Sequence, residues 1–301
     1  MNKIPVGQTI RFAYVFTFGE IGTVIGLIWV PTLINAVATF FVLRAYYGTL
    51  IDSFENGMPP IGGGLGWPLL LAFLAMLLVA MIGVAITQQA MGLRQGPAFA
   101  RISLGSAEWR AFGGFFGLYM LLVLFIAVFA ILIGVAAAAV GTVQSKPGPS
   151  GPLAGLIGLI VLCGGVVVAY LVVRLSFLLV PSVVDGSEFG LTRSWLLTKG
   201  NFWRIVAVGL ATLLPFAIVF AIAESLILGP GYFVTNLQVG GDEATRLRGM
   251  VSQMRTMREN MPILMGLSFV VSPLFYGLMF SASAFAYRAL AGSGRDAGST
   301  R

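Results

Sequence analysis

Among the polar side chains that fall within the apolar stretches of this chain, seven form one set: Gln88, Gln89, Arg174, Ser176, Ser281, Ser283 and Tyr287. Polar groups are costly in hydrocarbon, so they line a substrate path or bond neighbouring helices together. Their spacing predicts the inner halves of three spans, where they would form a polar vestibule opening inward. The alternative is interhelical bonding without a lumen. Arg44 and Glu224 each sit near the outer end of an apolar run, which predicts an ion pair at one depth. No apolar run carries two carboxylates at i, i+3 or i+4, the arrangement a proton relay or cation site would need.

Other chemistry is scarce. There is no histidine, the commonest metal ligand and general base near neutral pH. The single cysteine, Cys163, rules out an internal disulfide and a cysteine metal cluster. Asp52, Glu55, Asp185 and Glu188 are acidic loop residues that the sequence does not bring together. The signatures of zinc proteases, serine hydrolases and phosphate-binding loops are absent. Neither a catalytic residue, a metal site nor a cofactor is expected.

The elements that must position these residues are six long apolar runs at 20–46, 67–93, 111–142, 152–180, 203–229 and 261–290. Each exceeds the roughly 20 residues a helix needs to cross a bilayer. The chain is 58% hydrophobic and only 10% charged, against about 25% charged for a soluble domain. We therefore expect an all-α integral membrane protein, 1–301 as one membrane domain. Its net charge of +7 is scattered over loops and helix ends, which fits lipid headgroups as partners and not nucleic acid. Alternate sides carry twelve and six Lys and Arg residues, which favours both termini in the cytoplasm.

The segments between the runs divide into two kinds. The outer connection at 48–67 holds Pro59-Pro60 and Gly62-Gly63-Gly64, and the one at 144–152 is rich in Ser, Pro and Gly. The inner segments 4–18, 96–104 and 187–199 mix apolar, aromatic and basic residues and are predicted to lie in the headgroup plane. Each precedes a two-span hairpin, which suggests three interfacial-helix-plus-hairpin repeats. A separate amphipathic outer-loop helix is predicted at about 242–260. Its Met-rich face, 242–261, would rest on the bundle or receive a protein partner. Pro31, Pro215 and Pro273 fall inside spans and should kink them.

One stretch resembles a known family. Arg174-x6-Pro181-Ser-Val-Val-Asp185-Gly186, followed by Ser194-Trp195-x2-Thr198-Lys199-Gly200-Asn201-Phe202-Trp203-Arg204, is similar to a motif of uncharacterised bacterial six-span proteins. These are related to the membrane domain of glycerophosphoryl diester phosphodiesterases. The resemblance implies a multi-pass protein of the bacterial inner (plasma) membrane linked to envelope or lipid upkeep. It implies no hydrolase, because catalysis in the fused enzymes belongs to a soluble barrel that is not encoded here. The motif positions Arg174, Pro181, Asp185, Ser194 and Trp203 should form the corner between the fourth and fifth spans, with Pro181 ending the helix. The function expected is a non-enzymatic envelope or lipid-associated scaffold. The alternative is a small-solute or lipid transporter with its path among spans two, four and six. A connected polar cavity would favour solute transport, and an apolar groove open to the bilayer would favour lipid handling.

Overall fold

A computed structural model describes residues 3–56, 66–94, 103–141, 152–186, 190–229 and 243–296. The described residues form nine helices: α1 (Val6–Gly19), α2 (Ile21–Glu55), α3 (Gly66–Ala90), α4 (Ser106–Gly141), α5 (Pro152–Ser176), α6 (Leu179–Val184), α7 (Gly190–Thr198), α8 (Phe202–Leu228) and α9 (Glu243–Asp296). Six segments are long and apolar enough to span a membrane, carried by α2, α3, α4, α5 with α6, α8 and α9. The chain is an all-α polytopic membrane protein.

Three expectations are corrected. First, α1 does not lie on the headgroup plane. Its face formed by Thr9, Ala13 and Thr17 is fully buried between α8 and α9. Contacts fix its course: Ile4 meets Asn201, and Tyr14 meets Ala211, so α1 runs alongside α8 in the same sense. Phe12 stacks on Phe285 at 4.8 Å while Thr17 abuts Gly277, so it runs antiparallel to α9. The small residues at i, i+4 and i+8 let the three backbones approach, as close packing in membranes requires.

Second, the outer-loop helix is not separate. It continues through Pro262 into the sixth span as one helix of 54 residues, about 81 Å long at 1.5 Å per residue. The face bearing Val251, Met254 and Met257 is only partly exposed, and Met261 is buried. Third, the first span does not end at Tyr46 but continues through Glu55, so the connection expected from residue 48 is helical at its start. Arg255 pairs with Glu55, and the guanidinium of Arg258 lies 3.6 Å from where a Gly48 side chain would begin. α2 and α9 are thus antiparallel partners well beyond the roughly 30 Å of a hydrocarbon core.

Of the three repeats, the first and third inner segments contain helices α1 and α7, while most of the second lies outside the described residues. The core sits where α2, α3, α6 and α9 meet, around Leu27, Ile28, Ile82, Val180 and Phe280. A second cluster joins α1, α8 and α9 through Ile4, Ala13, Ile205, Leu278 and Tyr287. The α4–α5 hairpin joins this core through the first turns of α4, at Ala111 and Phe112. Only 6% of the α4 span and 11% of the α5 span are buried, against 44% for α3.

Candidate functional site: an apolar groove beside a buried arginine

The corner between α5 and α8 begins with a proline. Pro181 has no N–H to give the carbonyl of Phe177, so the helix breaks at Phe177-Leu178 and resumes as α6. Pro181 therefore lies inside α6, buried, and the helix ends before it and not at it. The break leaves the last carbonyls of α5 without intrahelical donors. The carbonyl of Arg174 receives the hydroxyl of Ser194 from α7 at 2.9 Å, while the hydroxyl of Thr198 lies 3.3 Å from it and has a nearer acceptor in the Ser194 carbonyl at 2.8 Å. Ser194 thereby caps α5.

Arg174 itself is 6% exposed. Its Nε donates to Thr198 Oγ1 at 3.3 Å, its Nη1 to Tyr170 Oη at 2.8 Å, and its Nη2 to the Trp195 carbonyl at 2.7 Å. The guanidinium also lies 3.6 Å from the centre of the Trp195 ring, a cation–π contact. Around it Tyr170 packs on Phe202 at 4.8 Å, and Phe202 on Trp203 at 5.2 Å. Trp203 opens the next span at 78% exposure, the position of an interfacial anchor. Asp185 ends α6 and accepts from Arg193 at 2.9 Å and from Tyr287 Oη at 2.7 Å, tying the corner to α9. Asn201 and Arg204 hold the amide and carbonyl of Ile4 at 3.1 and 2.7 Å, fixing the start of α1 to the start of α8.

Beyond this corner α5 and α8 diverge, and a cavity of about 500 Å³ lies between α4, α5, α8 and α9. Gly209 lends it width, since a side chain there would meet nothing within 4 Å. Phe115, Val173, Phe177 and Phe280 form apolar walls. Three hydroxyls face it, yet each donates within its own helix: Ser176 to Val172 and Thr212 to Val208 at 2.7 Å, and Ser283 to Phe280 at 2.9 Å. The rim residues Leu210 and Leu214 are 55% and 49% exposed, so the cavity opens sideways as a groove.

The seven polar residues expected to form a vestibule do not share one polar lumen. Ser176 and Ser283 line the apolar groove. Ser281 is buried and reaches the Leu278 carbonyl of its own helix at 3.4 Å. Tyr287 serves Asp185, and Arg174 serves α7. Gln88 and Gln89 lie at the end of α3, where the Gln88 carbonyl accepts the Leu93 amide and Gln89 Oε1 is buried without a partner among the described residues. Arg44 and Glu224 do not pair: Arg44 is exposed and stacks over Phe40 at 5.5 Å, and α2 and α8 are each packed on α9. Of the four acidic loop residues, Glu55 binds Arg255 and Asp185 binds Arg193, while Glu188 lies outside the described residues. Cys163 is exposed on α5. Sequence reasoning missed Tyr170, Thr198 and Gly209. The i, i+4 spacing of Tyr170 with Arg174, and of Ser194 with Thr198, was the available signal.

Fold and site define a six-span helical membrane protein with a lateral apolar groove. Comparisons of the chain with family models, with curated proteins and with solved structures find no match.

Proposed function

We propose that this protein is a non-enzymatic, lipid-associated component of a bacterial inner membrane, with both termini cytoplasmic, and that its groove holds a lipid chain. The observation that carries this reading is the groove's wall. It is apolar, its three hydroxyls are already bonded within their own helices, and its rim faces the bilayer. A polar solute would find no free donor on those hydroxyls, only acceptor lone pairs, whereas a hydrocarbon chain needs neither. The volume falls within the roughly 300–1,000 Å³ of small-molecule sites. The resemblance of the Arg174–Arg204 stretch to six-span proteins linked to lipid upkeep points the same way.

The test is Gly209→Leu. Leucine fits the open space and favours the helix over glycine by about 0.8 kcal/mol, so the fold should survive. Native mass spectrometry from gentle detergent should find a lipid on the wild type and much less on the variant. Equal lipid retention by both would overturn the groove as the binding site.

A further inference from the structure

Arg174 is a buried cation with no carboxylate bonded to it among the described residues, where the ion pairs at this corner and on the outer arm use Arg193 and Arg255. Its charge is carried outward through Tyr170. That hydroxyl accepts from Nη1 at 2.8 Å, and its own proton has no acceptor among the described residues. A phenol that accepts from a guanidinium is a strengthened donor, because hydrogen bonds in a chain polarise one another. Tyr170 is 37% exposed, and the hydrogen bond at its hydroxyl is only partly buried. It belongs to α5 just before the groove residues Val172 and Val173, and its ring packs on Phe202, just before the groove residue Ile205. Trp203, 78% exposed, stands beside it with the amphipathic ring that favours headgroup level. One end of the groove therefore offers positive charge, a free O–H and an interfacial aromatic, while its interior offers hydrocarbon.

We propose that Tyr170, backed by Arg174 and flanked by Trp203, recognises the phosphate of an anionic phospholipid whose chain enters the groove. This deepens the groove reading and rests on it.

The experiment titrates the purified full chain with phosphatidylglycerol and with diacylglycerol of the same acyl chains, which lacks the phosphate, read by native mass spectrometry. The wild type should retain phosphatidylglycerol about tenfold more strongly, the factor that one charge-assisted hydrogen bond can supply. Tyr170→Phe keeps the ring and every charge, and should remove most of that preference while leaving diacylglycerol retention unchanged. Equal retention of the two lipids by the wild type overturns the proposal whether or not the variant folds. An undiminished preference in Tyr170→Phe also overturns it and assigns the effect to general basic charge. A Tyr170-dependent rise in thermal stability with inorganic phosphate alone would identify a free anion as the ligand and overturn the lipid assignment. Gly209→Leu separates the two readings: if it leaves retention of both lipids intact, the groove reading has failed, and if it lowers both while Tyr170→Phe changes nothing, only the headgroup site has failed.

Discussion

At the scale of single residues, the α5–α7 corner is a set of satisfied polar atoms enclosed by aromatics. Ser194 is fully buried, and its hydroxyl caps the Arg174 carbonyl at 2.9 Å. Ser194→Ala should lower stability by about 1 kcal/mol, the net contribution of one intramolecular hydrogen bond. Combining it with Thr198→Val also removes the acceptor of the buried Arg174 Nε and should cost about 1–3 kcal/mol beyond the single change. Chemical denaturation in detergent, followed by tryptophan fluorescence, measures both; a double variant no worse than Ser194→Ala would mean that water replaces the hydroxyls. Gly190 sets the other limit. A side-chain carbon there would lie 2.6 Å from Val183 and 3.2 Å from the Leu179 carbonyl, which is why α6 and α7 can sit so close.

At the scale of elements, prolines decide where helices open, and side chains from other helices fill the openings. Pro215 cannot donate to the carbonyl of Ala211, and Tyr14 from α1 donates to it instead at 3.2 Å. Tyr14→Phe should therefore destabilise the protein by about 1 kcal/mol, and by clearly less in a Pro215→Ala background, where the backbone amide is restored. A double-mutant cycle on thermal unfolding checks this; purely additive losses would show that the two residues are not coupled. The same elements show what was legible from sequence. All six spans were, because hydropathy reports the partition between water and hydrocarbon. The setting of α1 was not, because lipid and protein interior are equally apolar and a mixed segment reads the same against either. Its Thr9-Ala13-Thr17 stripe was the overlooked sign of burial. The unbroken α9 was hidden by Pro262 and by the shift from charged to apolar composition, neither of which stops a helix whose apolar face already has a partner along α2. The vestibule failed for another reason. A serine in a helix can bond a carbonyl of its own preceding turn, and composition does not reveal that choice.

At the scale of the whole molecule, stability is unevenly distributed. α9 packs against α1, α2, α3, α6, α7 and α8, whereas the α4–α5 hairpin is mostly exposed. Leu278→Ala, at a fully buried site on α9, should cost about 2–5 kcal/mol. Leu124→Ala, 62% exposed on α4, should stay within about 0.5 kcal/mol. Thermal midpoints of the two variants in the same detergent give the comparison, and a large loss at Leu124 would reveal a protein contact on that face. The central place of α9 also bears on biosynthesis. It follows all eight other described helices in sequence, so it leaves the ribosome after the other five spans have entered the membrane. It carries Met279, Phe280, Ala282 and Ser283, one whole side of the groove, together with the Tyr287 hydroxyl that holds Asp185. Until that helix inserts, the nascent chain has neither a complete groove nor a completed core, and the partial bundle is the species that quality-control proteases would meet.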